Sequence, residues 1–409
     1  MRGMSEKRIY RIGLIVERSR AFGRELCEGV IGYAQERPDW EVYFVDAADL
    51  RRREVRVRMD GFVARVTSDK MAGLLASTGR PVVDLYYERP HHGFAIVKTR
   101  HETVGALAAE HFLDRRFTNF AYCPYGGGRT SAYCRTSFIR RLRRAGYGCS
   151  VYSLGREIAY DIDGSNLPSD RIAPPRDSRR LGKWLASLPK PVAVFTPGDL
   201  RAWQVVDTCR ATGIDVPHEV AVLGLDNDVI ICGSSKPMLS SVDPNTREIG
   251  RVAAETLAGM MERGIPARPV VRQVAPSGVV ARASSETAPV EPPWLSDALV
   301  YIQRNARHGI SASDVFKALS RSHTSVTRAF RETLGITVQG EIARTRICEA
   351  KRLLATTELS VTRIAKMAGF MSLSYFLQAF SAATGTAPGA WRAHQVRPVA
   401  AFSGAHSES

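Results

Sequence analysis

No apolar run in this chain approaches the roughly 20 residues that would cross a bilayer. The short patch IGLIV near the start is also smaller than the about 7–15 apolar residues of a secretory leader. It is expected to be a first β-strand, and the chain is expected to be cytoplasmic. Cysteine is scattered, at Cys27, Cys123, Cys134, Cys149, Cys209, Cys232 and Cys348, with no CxxC pair. That argues against a disulfide framework or a zinc site and for small buried hydrophobes. The sequence lacks GxSxG, a P-loop, HExxH and a GxGxxG opening a helix. The cluster Gly126-Gly127-Gly128 lacks the lysine and serine of phosphate chemistry and reads as a mobile loop beside a crevice. Nine histidines show no triad or metal spacing. No catalytic residue, metal or cofactor is therefore expected.

What is present is ordinary globular composition at unusual charge. The 409 residues are 44% hydrophobic and carry a net charge of +16. That length implies two or three domains. The charge is concentrated: residues 294–398 hold 14 Lys/Arg against 6 Asp/Glu, half of the excess in about a quarter of the chain. A compact basic module of this kind suits phosphate binding.

The chain changes character along its length. Residues 8–283 alternate short apolar runs with helical patterns. The strand-like runs are 12–17, 41–46, 61–66, 81–86, 120–125, 192–197 and 220–226. Several are almost continuously Val, Ile, Leu or Phe, the pattern of parallel strands covered on both faces. Helical patterns over 22–37, 102–116 and 199–213 lie between them. The alternation predicts doubly wound α/β sheets, too many units for one sheet, hence a two-lobed domain over 1–283. The Ser/Thr/Pro-rich stretch 284–293 reads as an extended linker, and 399–409 as a disordered tail. Between these, residues 294–398 have a helical period and no strand-like run, which predicts an all-α domain.

Within it, Val315, Phe316 and Leu319 form one apolar stripe and Val326, Phe330 and Leu334 another, separated by a short polar turn. Ser322 is placed to cap the second helix. The early residues of that helix, His323, Thr324, Thr327 and Arg328, are polar, as in a helix that reads base edges. The pattern recurs over 359–388, with Ser360 as a cap, Gly369 at the turn and Phe376, Ala379 and Phe380 on the inner face. A helix over 336–357 joins the two units. This doubled motif resembles the AraC/XylS family of transcription regulators, at Phe330, Arg346, Ala350, Leu353, Leu354, Ile364, Ala365, Gly369-Phe370, Ser374-Tyr375-Phe376, Phe380, Gly385, Pro388 and Trp391-Arg392. The resemblance implies two recognition helices in successive major grooves of promoter DNA. It implies base-facing roles for Thr324, Thr327 and Arg328 in the first unit and for Leu373, Ser374 and Gln378 in the second. Lys351, Arg352, Arg363 and Lys366 are expected to touch phosphates or nothing.

The α/β half resembles the LacI/GalR type of periplasmic-binding-protein-like sensor, in fragments such as RAFGRELCEGV (20–30), DGFVARV (60–66), VPHEVAVLGLDND (216–228) and LSSVDPNTREIGRVAAETL (239–257). The resemblance implies a small ligand between two lobes, a sugar of xylose-like kind, with Arg135 and Asp226 holding hydroxyls and Phe22 stacking on the ring. Arg65, Asp199 and Arg201 are further candidates. Two positions depart from the pattern. Gly198 stands where that family often has Asn, and Arg100 where it tends to carry an aspartate. These leave three alternatives: a different sugar, a sugar acid held by Arg100 and Arg135, or a lost ligand. A homodimer and RNA polymerase are expected partners by resemblance. The competing reading, a transporter's solute-binding protein, is opposed by the basic C-terminal module.

Overall fold

The computed structural model describes residues 8–86, 93–124, 128–153, 175–266 and 268–395; for 175–177, 355–356 and 394–395 it describes the backbone alone. Gly126, Gly127 and the 399–409 tail lie outside the described residues. The chain divides into two compact units, Met1–Thr287 and Ala288–Ser409.

Among its described residues the first unit holds twelve strands: β1 (Tyr10–Ile15), β2 (Trp40–Phe44), β3 (Gly61–Ala64), β4 (Val82–Asp84), β5 (Ala95–Thr99), β6 (Asn119–Tyr122), β7 (Ser150–Val151), β8 (Val192–Phe195), β9 (Val220–Leu225), β10 (Ser240–Asp243), β11 (Val271–Val274) and β12 (Gly278–Val280). They form two six-stranded sheets, ordered β11-β5-β4-β3-β1-β2 and β12-β10-β9-β8-β6-β7. The first is wholly parallel. The second is parallel except where β12 runs antiparallel to β10. Each sheet is the floor of one lobe, and the chain passes between lobes after β5, after β10 and after β11. The central strands β3, β8 and β9 are buried at every residue, which is why they lack period-2 alternation.

Helices cover both faces. The opening helix, Ala21–Gln35, crosses Thr246–Arg263 so closely that the space of a Cβ on Gly29 or Gly250 is already filled by the other helix's backbone. In the second lobe, His101–Leu113 crosses Arg129–Arg144 in the same way at Gly105.

The stretch 284–293 departs from the expected linker. Ser284 Oγ donates to the Val222 carbonyl at 2.7 Å and accepts from the Ser240 N–H at 2.8 Å. Ser285 Oγ lies 2.7 Å from Ser240 Oγ and 2.7 Å from His111 Nε2. On the other side of the division, Ala288 is buried in the second unit's core, and its N–H donates to Ser296 Oγ at 3.0 Å. These small polar residues make the bonds of buried backbone without any apolar period, so periodicity cannot see them.

The second unit is helical throughout its described residues. It has two cores. One gathers Leu295, Leu299, Val315, Val326, Phe330 and Ile342; the other gathers Ile347, Leu354, Ile364, Phe376 and Phe380. The helix Val338–Thr356 contributes to both.

Candidate ligand crevice and DNA-reading helices

In doubly wound sheets, ligands bind beyond the carboxyl ends of the parallel strands. In the first lobe, β3 leads into Arg65 and β4 into Tyr86. The Arg65 guanidinium lies 5.4 Å from the centre of the Phe22 ring and 4.8 Å from that of Tyr86. Asp84 fixes both strand ends, its Oδ1 accepting from the N–H groups of Val66 at 3.0 Å and Tyr86 at 2.9 Å. Arg65 is half-buried, and its Nε is a buried donor without a hydrogen-bond partner among the described residues.

The second lobe answers with carboxylates. Asp226 follows β9 with φ of 108°, a conformation rare for a residue with a side chain. Burial pushes its carboxyl well above the usual range, and the charge of Asp199 adds to that, while Arg65 and Arg20 oppose it. The Asp226 Oδ2 lies 3.9 Å from where a Cβ on Gly198 would stand, with no other atom near that point. The departure at Gly198 therefore leaves open room beside the Asp226 carboxylate.

Asp199 and Arg201 are placed differently. Asp199 is 1% exposed. It accepts from Ser241 Oγ at 2.5 Å, from the Asp228 N–H at 2.8 Å and from Cys232 Sγ at 3.4 Å. Its desolvation holds its pKa up at about 7. Its oxygens are already occupied, so it shapes the Asp226–Asp228 turn from beneath. Arg201 has no exposed surface; its Nη1 donates to Gln204 at 2.9 Å and its guanidinium lies 5.4 Å from the Tyr152 ring centre. Both are buried within the second lobe. Arg135 is exposed on its helix, next to Cys134, whose thiol burial and the Asp226 charge push upward.

Three crevice groups escaped sequence reasoning. Tyr86 and Arg20 share the surroundings of Arg65. Asp228 bridges the lobes: its Oδ1 caps the following helix through Ile230 and Ile231, while its Oδ2 accepts from the Ala21 N–H at 3.2 Å. Ala21 is the first residue of the first lobe's opening helix, so a carboxylate of one lobe sits at the positive end of a helix of the other. The strand-end rule marks Tyr86; only the fold brings Asp228 to Ala21.

In the second unit, Ser322 Oγ accepts from the Ser325 N–H and starts the helix His323–Leu334. Val326 and Phe330 turn inward, and His323, Thr324 and Arg328 are exposed, with Thr327 half-buried. Arg328 Nε lies 3.9 Å from Glu332 one turn on, and His323 meets the Phe316 ring edge-on at 4.5 Å. Ser372 Oγ likewise accepts from the Tyr375 N–H and starts Leu373–Thr384, with Leu373, Ser374 and Gln378 exposed. Gly369 takes φ of 91° in the turn before it, where a Cβ would run into the Ala306 carbonyl. Arg346, on the joining helix, donates through Nε to that carbonyl at 2.9 Å and through Nη2 to Ile310 O at 2.7 Å. Its guanidinium thus ties the joining helix to the entry of the first helix-turn-helix, within the second unit.

Comparison with known proteins matches each half. The periplasmic binding protein-like domain matches residues 109–285, and a helix-turn-helix domain matches 315–394. The transcriptional activator AarP of Providencia stuartii is 34% identical over 98 residues, 24% of this chain and 73% of that protein. The chain belongs to the AraC/XylS-type transcription regulators, here with a periplasmic-binding-protein-like sensor. The same order of domains runs through the xylose operon regulatory protein of Escherichia coli K12, 26% identical over 394 residues, covering 94% of this chain and 97% of that protein. The counterpart in Haemophilus influenzae is 26% identical over 388 residues, 91% and 95% of the two chains. A solved xylose-binding transcription activator shares the fold at a TM-score of 0.57 and 24% identity, over 95% of this chain and 98% of that one. As a member of this group the chain is a ligand-sensing transcription regulator that binds DNA through its helix-turn-helix domain. Its relatives are regulators rather than enzymes.

Proposed function

We propose that this regulator senses a sugar between the two lobes of its first unit and controls genes for that sugar's metabolism. The observation that carries the reading is the Phe22–Arg65–Tyr86 stack facing Asp226. Aromatic faces cover the apolar side of a sugar ring, while a planar guanidinium and a carboxylate bond its hydroxyls in pairs. The full-length relatives named for a xylose operon support a pentose as the first ligand to try. Phe22, Arg65, Arg135 and Asp226 contact ligand in this reading, with Arg20 and Tyr86 added. Asp199 and Arg201 position them. The ligand acts by its different affinity for two arrangements of the sensor, which alters how the reading helices meet promoter DNA. His323, Thr324, Thr327 and Arg328, with Leu373, Ser374 and Gln378, face bases. The active species is a homodimer that activates by engaging RNA polymerase at the nucleoid in the cytoplasm, and it works by binding alone.

A second reading takes a sugar acid as ligand. It is favoured by the cations Arg20 and Arg65 beside Asp226, with Arg100 and Arg135 as further candidates, since Asp199 and Asp228 are already engaged. Calorimetry and thermal shift with neutral pentoses, hexoses and their acids separate the two. A neutral sugar that stabilises the wild type but not Asp226→Ala supports the first reading. A response to acids alone replaces it with the second. No response to either class, with intact gel shifts on the adjoining promoter, leaves a regulator that does not sense sugars.

A further inference from the structure

The two helix-turn-helix units repeat one plan at a spacing of 50 residues. Ser322 and Ser372 cap the reading helices. Val326 and Phe376, then Phe330 and Phe380, fill the inner face, and Gly335 and Gly385 end the helices in the left-handed region. The inner faces match, so the outward positions match too. What those positions carry does not. His323 is answered by Leu373, Thr327 by Leu377, Arg328 by Gln378 and Arg331 by Ser381. The second reading helix, residues 373–384, has no charged residue. Leu373 and Leu377 are both 39% exposed, one turn apart, flanking the polar pair Ser374 and Gln378.

We propose that the second reading helix recognises thymine through its methyl group, with Leu373 and Leu377 as the contacting side chains. Leu377 thereby joins the base-facing set. Thymine alone among the bases shows a methyl in the major groove. A helix without a cation forms no ion pair with phosphate, so its reading of bases comes from apolar contact and from hydrogen bonds of Ser374 and Gln378. The first reading helix, with Arg328 and Arg331, supplies the salt-dependent share. DNA fits the face better than an apolar protein partner, because the leucines border a hydrogen-bonding pair at the positions that the matching cap and core define as outward. The inference rests on the reading that both helices enter DNA grooves.

The test uses the full-length protein and the duplex it selects from a random-sequence pool. Each thymine of that duplex is replaced by uracil, which removes only the methyl. Two replacements under the second helix should each weaken binding about fourfold, the worth of one buried methylene at about 0.8 kcal/mol. Leu377→Ala should weaken binding to the thymine duplex by a similar factor and cost nothing further on the uracil duplex. Arg328→Ala should instead reduce the salt dependence and leave the uracil effect intact. Selective binding that ignores uracil throughout overturns the proposal while DNA recognition stands. Equal losses for Leu377→Ala on both duplexes overturn it as well. So does unchanged DNA affinity with lost promoter output, which would assign the leucines to a protein partner. Failure to select any duplex brings down the underlying reading instead. Because uracil alters the DNA alone, the first arm stands even if a variant misfolds.

Discussion

The two lobes of the sensor meet across the crevice with opposite equipment. The first offers rings and cations: Phe22, Tyr86, Arg20 and Arg65. The second offers acids: Asp226 after β9, with Asp199 and Asp228 in the turn around it. Opposed faces of this kind attract each other before any ligand arrives, and the Asp228 carboxylate already reaches the Ala21 N–H. A ligand must therefore improve on an existing attraction. One with many hydroxyls can do so, because it donates to the acids while accepting from the arginines.

Each lobe is also a separately cored body pinned by glycine at one helix crossing, which gives the strongest way to break the comparison. Gly250→Ala pushes a Cβ into the Leu26 carbonyl, a backbone atom that cannot swing aside. It should destabilise the first lobe by about 3 kcal/mol, the upper range for overpacking. Chemical denaturation with Phe22-side and Tyr122-side fluorescence reporters should show the second lobe less affected. Gly105→Ala should reverse the pattern, because its Cβ meets Ser137 and Cys134 in the second lobe. Equal loss in both lobes for both variants would show that the sensor melts as one body.

Next in size is Arg65→Ala. It removes the guanidinium between the two rings whose charge acts on Asp226, and with it the proposed donor to the ligand, so ligand affinity should fall about tenfold or more, since a hydrogen bond to a charged group is worth about 1.5–3 kcal/mol. Arg65→Lys keeps the charge without the planar fork and should recover only part of the loss. Full recovery in calorimetry would mean that charge alone matters. Asp228→Asn is smaller. It weakens the acceptor at the positive end of the opening helix by about 0.3–1 kcal/mol and should loosen lobe closure, read as a few-fold change in ligand affinity.

Much of this comparison was legible in the sequence, and what was not has physical reasons. Arg65, Phe22 and Asp226 stand at strand ends or in the first loop, where strand-then-helix alternation locates a crevice, and β1, β3, β8 and β9 are apolar enough to be read directly. β10 (SSVD) and β11 (VRQV) were missed because polar side chains on a crossover strand leave no apolar run. By side-chain chemistry alone Asp199 and Arg201 are candidate ligand contacts. Only packing shows the Asp199 oxygens bonded to Ser241 and Asp228 and the Arg201 Nη1 bonded to Gln204. The hydroxyls of Ser284 and Ser285 looked like linker for the same reason. In the second unit the capped, glycine-ended helices were legible to the residue at Ser322 and Ser360. The inequality of the two reading faces is written in the sequence too, but it becomes meaningful only once Val326 with Phe376 and Phe330 with Phe380 fix which positions point outward.

The gentlest probe of the contrast between lobes is pH. Burial holds the Asp199 carboxyl up at about 7 from an ordinary 3.8, with Asp228 opposing its ionisation and Ser241, the Asp228 N–H and Cys232 favouring it. Because the folded state prefers the protonated acid, this group's contribution is complete below about pH 4 and is lost as pH rises through about 7. The wild-type sensor should therefore become less resistant to denaturant over that window. Burial and the Asp199 charge shift Asp226 in the same direction. Asp199→Asn keeps an acceptor for the Asp228 N–H but has nothing to ionise, so its stability should vary less with pH than the wild type's, leaving only the Asp226 share. If the variant and the wild type follow parallel curves, the buried acid of the second lobe is not what sets the pH response, and the cationic lobe becomes the place to look.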